Sequence, residues 1–197
     1  MTKLITERSP VQIRPGPLIF LFWLDKLLSL KINYLSKKEI KQYSKEIMER
    51  TGIHFEPERA LELENALVLV DDGFMIYDKK NSAFYPFLAD KISGQLPQLE
   101  VDSGASERIK QGANVMRPGI INIDSKLKNG WPALITGNKE SLAIAISMMD
   151  YAEAVSAQKG VVARNVHRQG DQIWNAVIEF VKKYYKGSNQ SEMKQHP

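Results

Sequence analysis

Lys110-Gln111-Gly112-Ala113-Asn114-Val115-Met116-Arg117-Pro118-Gly119-Ile120 is the stretch on which the reading of this chain turns. Just upstream stands Val101-Asp102-Ser103-Gly104-Ala105. Gly104, Gly112, Pro118 and Gly119 fall within sixteen residues. Glycine permits backbone conformations and close approaches that a Cβ forbids. Asp102 or Ser103 can cap a short helix running to Lys110, and Gly112 ends it. A helix that stops at glycine and turns into a strand leaves backbone amides on a surface that can meet a nucleic-acid chain. Lys110 and Arg117 flank that surface, and Met116 offers a flexible apolar side chain able to pack or to touch a base. A tight turn with no ligand is the competing reading of the same residues.

Charge favours neither reading outright. The 197 residues carry a formal net charge of +4. Between Arg108 and Lys128, the cations Arg108, Lys110, Arg117, Lys126 and Lys128 face Asp124 alone, so this window also nets +4. Such a cluster suits a phosphate-facing patch or a solvated face.

Downstream the texture is that of short strands and turns. Trp131 to Thr136 reads as a strand. Ser141 to Met149 alternates, with Leu142, Ile144, Ile146 and Met148 on one face and Ala143, Ala145 and Ser147 on the other. Asp150 and Glu153 suggest a capping box for a short helix ending by Gly160. Val161 to Val166 and Gln172 to Trp174 read as two further strands. Val177, Ile178, Val181 and Tyr185 then fall at helical spacing over 175–186, and the polar residues from Gly187 suit a disordered tail. Several strands with two small helices in so short a span suggest a compact barrel or sandwich.

Upstream, Leu35 to Gly52 reads as a helix with both ends marked. Ser36 and Glu39 form a capping box, and Leu35 and Ile40 occupy the staple positions. Ile40, Tyr43, Ile47 and Met48 make its apolar face, and Gly52 suits the end. Ala66 to Val70 and Phe74 to Tyr77 read as strands joined at Asp71-Asp72-Gly73, where glycine tolerates positive φ. That turn accounts for Asp71 and Asp72 better than a catalytic carboxylate pair does. Phe84-Tyr85-Pro86-Phe87 packs three aromatics around a proline, as at a core or domain junction. Pro97 suggests a boundary near 95–98.

The central stretch, with His167-Arg168-Gln169-Gly170-Asp171-Gln172-Ile173-Trp174 as a closing motif, resembles the PUA domain. That domain occurs in pseudouridine synthases, archaeosine transglycosylases and translation factors. With Asp71-Asp72-Gly73, Phe84-Tyr85-Pro86 and Val101-Asp102-Ser103-Gly104-Ala105, the chain is similar over about residues 35–175 to the malignant T-cell-amplified-sequence proteins and their archaeal relatives. The resemblance implies an α+β fold, with a small α/β pre-PUA domain over 31–97 and a PUA-type β-barrel over 98–175. Residues 176–197 would be a terminal helix and tail. Trp131 and Trp174 are expected in the barrel core. The family's glycine loop corresponds to Gly112 to Gly119, so the residues expected at RNA are Arg108, Lys110, Gly112, Ala113, Asn114, Met116, Arg117, Pro118, Gly119, Lys126 and Lys128. About four phosphate contacts imply a salt slope near −3.

The implied role is non-enzymatic RNA binding in translation, at the tRNA acceptor end or the small-subunit rRNA. It would act as a cytoplasmic monomer, beside a partner with a start-codon-selection domain. An RNA-presenting subunit of a modification enzyme and a protein-interaction module are the alternatives. The lack of cysteine excludes disulfides and thiolate zinc sites and fits a reducing compartment. His54, His167 and His196 are too scattered for metal ligation, so neither metal nor cofactor is expected. His167 has no nucleophile or carboxylate partner legible in sequence and reads as structural.

Residues 1–30 stand apart. Leu18 to Leu24 is apolar but far shorter than the roughly 20 residues of a membrane span, and Glu7 with no cleavage site argues against a signal peptide. Pro10-Val11-Gln12-Ile13-Arg14 can be encoded CCG GTT CAA ATC CGG, which contains GGTTCAAATCC, the T-arm pattern of a tRNA gene. The segment therefore reads as an over-extended frame, with the true start at a non-AUG codon near Leu27 to Leu30. Mass measurement of the native amino terminus tests this, and peptides from residues 3 to 14 would end it.

Overall fold

The structure is a computed structural model, and it describes residues 32–184. The expectations for residues 1–30 and for the tail from Gly187 lie outside that range.

Strand β1 (Ile32–Tyr34) leads into helix α1 (Lys37–Thr51). The capping box forms: the Ser36 amide donates to Glu39 at 2.8 Å, and the Glu39 amide donates to the Ser36 hydroxyl at 3.3 Å. Gly52 closes the helix with φ 72°. Ile47 is buried, but Met48 is 42% exposed and lies off the expected apolar face. Strands β2 (Arg59–Glu62), β3 (Ala66–Val70), β4 (Phe74–Asp78) and β5 (Ala83–Pro86) then join β1 in an antiparallel sheet in chain order.

The β3–β4 turn forms at Asp71-Asp72-Gly73, and the Asp71 amide donates to the Gly73 carbonyl. Gly73 is not in the positive-φ region that the hairpin reading invoked. Its reason is packing. A Cβ there would collide with the Asp90 carboxylate and with Ile92. Asp90 is fixed because its carboxylate accepts from the Phe74 amide at 2.9 Å.

The second sheet begins at β6 (Gln98–Val101) and runs β7-β11-β10-β9-β6-β8. Its other strands are β7 (Val115–Met116), β8 (Ile120–Ile123), β9 (Pro132–Gly137), β10 (Glu140–Ser147) and β11 (Val161–Arg168). Pairing is antiparallel except between β6 and β9. Edge strands β7 and β8 are joined by one 3-10 turn, Arg117–Gly119. A link of that length reaches at most about 14 Å. In a flat sheet five inter-strand steps of about 4.8 Å would part those edges by about 24 Å. The sheet must therefore curl into a nearly closed barrel.

Helix α2 (Ser103–Lys110) lies over the barrel, burying Ser106 and Ile109. Asp102 caps it, accepting from the Ala105 amide at 2.7 Å. In β10 a register shift between Ser141 and Ala143 sends Leu142 into the barrel core with Ala143 and Ala145, not with Ile144 and Ile146 as alternation suggests. Met148 lies past the strand and is 51% exposed. Helix α3 (Tyr151–Ser156) follows Asp150, but no capping box forms. The Asp150 carboxylate is taken by the Asn129 amide at 2.9 Å.

The largest departure is at the end. Gln172 to Trp174 is not a strand but the first turn of helix α4 (Gln172–Tyr184). Asp171 accepts from the Trp174 amide at 2.7 Å, as an N-cap does. Phe180 carries the helix back to Phe74 of the first sheet, with ring centroids 6.0 Å apart. Trp174 packs on Phe87 at 5.0 Å, and Trp131 on Gly52, so neither belongs to the barrel core. Among the described residues no helix is long and apolar enough to cross a membrane.

Gly73→Ala is expected to destabilise the protein by about 1–3 kcal/mol through overpacking, and Ser36→Ala by about 1 kcal/mol through loss of the cap. Urea denaturation followed by circular dichroism measures both.

Candidate nucleic-acid interface

Residues 110–114, from the last residue of α2 to the start of β7, form one exposed run. Gly112 has φ +100°, which L side chains rarely adopt. The amides of Gly112 and Ala113 donate to the carbonyls of Ile109 and Arg108, closing the helix end. The loop is tied down from β11. The Asn165 side chain donates to the carbonyls of Ile109 (3.0 Å) and Ala113 (3.1 Å), and its amide donates to Asn114 Oδ1 (3.1 Å). A rigid, solvent-facing corner results.

The expected site residues divide into three groups. Lys110, Gly112, Ala113 and Asn114 stand on the corner, with Arg108 exposed one turn back on α2. The Asn114 side-chain oxygen is already used by the fold. Lys110 is paired, 2.9 Å from Glu140 and 3.9 Å from Glu107, and its hydrogen bond to Glu140 raises its pKa. Met116 follows on β7 and is 48% exposed.

Arg117, Pro118 and Gly119 serve the barrel link. Arg117 is half-buried, and its amide donates to the Gly160 carbonyl. Its Nε is buried without an acceptor. A Cβ at Gly119 would meet that of Ala105 at 2.7 Å, so this glycine lets the turn approach α2. Close approach to RNA is not needed to explain it.

Lys126 and Lys128 are not brought to the corner. Ile120 pairs with Val101 beside the start of α2, whereas Ile123 pairs with Leu99. The Asp124 amide donates to the Gln98 carbonyl at the beginning of β6. Both lysines therefore lie beyond the far end of β8. The Lys128 ammonium sits over the Trp131 ring, 4.0 Å from its centroid.

Sequence reasoning missed Arg168, Arg164 and Asn165. The Arg168 side chain lies against Gly112, with Nε 3.2 Å from where a Cβ would stand. Arg164 is exposed on the same strand. The signal was in the closing motif, read for fold and not for charge. Among the described residues, no ion pair engages Arg108, Arg164 or Arg168. A polar groove of about 480 Å³ is lined by Glu100, Asp124 and Glu140 against the cation Lys139, and that excess of acids disfavours phosphate.

The PUA domain pattern matches residues 97–168. The uncharacterized protein MJ1432 of Methanocaldococcus jannaschii is 30% identical over 158 residues, covering 72% of this chain and 94% of that protein. The chain is a PUA-domain protein of the same family as that archaeal protein, and it is similar to malignant T-cell-amplified sequence 1-B of Xenopus laevis, 26% identical over 119 residues. Translation machinery-associated protein 20 of Saccharomyces cerevisiae is 32% identical over 118 residues, or 55% of this chain. The match spans 65% of that relative's length. The hypothetical protein PH0734.1 of Pyrococcus horikoshii shares the fold, with a TM-score of 0.61 at 23% identity over 74% of this chain and 98% of that one.

In this PUA-family chain the closing motif is structural. His167 is fully buried, with Nδ1 2.8 Å from the Asp171 carboxylate. Its ring lies against Phe87 (5.2 Å) and Tyr85 (6.0 Å). Burial and the nearby Asp78 carboxylate push the Tyr85 phenol far up. Burial opposes ionisation of Asp171, yet His167 and the amides of Trp174 and Arg168 together hold its carboxyl below the usual carboxylate range. Asp71 goes the other way, raised by burial and by Asp72.

The stabilisation from ionised Asp171 is complete above the pKa of an unfolded aspartate, about 3.9. It is lost as pH falls through the lower folded value. Asp171→Asn is expected to cost about 1–3 kcal/mol at pH 7, with the gap to wild type closing in acid. Denaturation at pH 7 and below pH 4 checks this, and equal stabilities at pH 7 would overturn it.

Proposed function

We propose that this protein binds RNA without catalysing a reaction on it and acts in translation. The partner RNA would be the tRNA acceptor end or the small-subunit rRNA. The observation that carries the reading is the exposed, Asn165-braced corner at 110–114, with Arg108 on the helix that ends there and Arg168 beside Gly112. Guanidinium groups suit phosphate because their N–H forks match its oxygens. The exposed corner backbone and the Asn114 amide can meet nucleotide edges in an unpaired 3′ tail. The name of the yeast relative supports translation as the setting. A translation factor with a start-codon-selection domain is the protein partner this reading favours.

Arg108, Arg168 and Lys110 replace the four cations of the sequence reading. At about 0.7–0.9 per charge, log K is expected to fall with log salt at a slope of about −2 to −3. Lys110 contributes once it exchanges Glu140 for a phosphate, since exposed pairs are worth only about 0–1 kcal/mol. Arg117 is packed into the barrel link, so Lys110→Glu with Arg117→Glu would test the fold as much as binding.

Arg108→Glu with Arg168→Glu is the cleaner variant. It is expected to weaken binding of an RNA stem-loop with an unpaired 3′ tail at least about tenfold, with an unchanged circular dichroism spectrum. Fluorescence anisotropy reads the affinity, and undiminished binding would overturn the assignment. Co-sedimentation with small ribosomal subunits tests the setting.

A further inference from the structure

The corner leaves Lys128 unused, and its ammonium lies over Trp131 at a second concavity. A cleft of about 310 Å³ opens between the end of α1, the turn before β5 and the segment 129–131. Glu49, Arg50, Ser82, Phe84, Asn129 and Trp131 line it. Its volume is at the low end for small-ligand pockets, about 300–1,000 Å³.

Its chemistry is an aromatic wall between two cations. Trp131 is half-buried, and the Lys128 ammonium covers its ring at 4.0 Å. Across the cleft Arg50 lies 5.7 Å from the Phe84 ring centroid. One Arg50 nitrogen donates to the Ser82 carbonyl at 2.8 Å, which leaves the other N–H groups of the fork for an anion. Among the described residues, no ion pair engages Arg50 or Lys128. Glu49 has Lys45 at 3.8 Å. The Asn129 amide is committed to Asp150, but its side chain is exposed.

We infer that this cleft takes one unpaired nucleotide of the bound RNA, its base stacked on Trp131 and its phosphate held by Lys128 and Arg50. The inference rests on the RNA reading above and adds a second contact remote from the 110–114 corner. Lys128 now occupies the ring face that the base would take. Stacking on a base is a stronger contact than that of a solvent-exposed ammonium with the ring, so the base displaces the ammonium, which turns to the phosphate. Asn129 and Glu49 present an amide and a carboxylate to the base edge.

The test uses the full chain labelled with 5-fluorotryptophan, with Trp131→Phe assigning the resonance. RNA binding is followed by anisotropy in the same samples. A stem-loop with an unpaired 3′ tail is expected to shift the Trp131 fluorine signal, and the same stem-loop with a blunt end to leave it in place. Lys128→Glu, which alters an exposed side chain, is expected to weaken binding of the tailed RNA about tenfold. If the tailed RNA binds and the Trp131 signal stays still, or if the blunt stem-loop moves it equally, the cleft is not a nucleotide site and the corner reading survives. If neither RNA binds, both readings fall. A signal that moves only with an acidic peptide, and not with RNA, assigns the cleft to a protein partner and overturns the inference.

Discussion

Arg117, Pro118 and Gly119 join two strands that stand at opposite edges of one sheet. So short a link is compatible only with a sheet that curls until its edges meet. Once it curls, its inner face is a closed volume that large and small side chains fill together, Leu99, Val101, Ile135 and Leu142 with Ala133, Ala143, Ala145 and Ala163. Helix α2 can then lie close. Gly119 admits the link against Ala105, and at Gly137 a Cβ would collide with the Ser106 hydroxyl. The residues after α2 have no room inside. The corner at 110–114 is therefore held outward by the same closure that builds the barrel.

A second constraint couples the barrel to the sheet before it. Phe87, His167, Tyr85 and Trp174 stack at the junction, and Asp171 holds His167, the strand end and the start of α4 through one carboxylate. Aromatic pairs add about 0.5–1.5 kcal/mol each beyond the area they bury. Phe180 repeats the contact from α4 to Phe74. The outer side of β10 is buried as well, at Ile144 and Ile146. The corner and the cleft beside Trp131 are thus carried on one packed body, which favours binding an extended chain at two points without an added cost of ordering domains.

Electrostatics then sorts the cations. Lys110 leans on Glu140, and Lys128 on an aromatic ring, while Arg168 lies where Gly112 leaves space. Acids collect instead along the groove formed by β6, β8 and β10. A modest net charge is in this way separated into faces of different sign, and local charge steers a nucleic acid more than the total does.

Features settled by a few neighbouring residues were legible in the chain. Ser36 with Glu39, Asp102 with Ala105, the Asp71–Gly73 turn and the end at Gly52 all depend on hydrogen bonds spanning two to four positions, so a linear reading captures them. The PUA-type fold followed from the motifs at 101–120 and 167–174. Strands β1 and β2 were missed because three or four residues are too few to display a period. Gln172 to Trp174 was read as a strand because its helix-starting signal is Asp171, a residue that also serves His167. Which cations share a surface was not legible at all. Lys126 follows Arg117 closely in sequence, yet β8 carries it to the far end of the barrel, while Arg168 arrives beside Gly112 from a strand more than fifty residues on. Sequence neighbours part and distant residues meet because the barrel closes. That closure sums strand pairings, register shifts and side-chain volumes along the whole sheet, and no short segment encodes it.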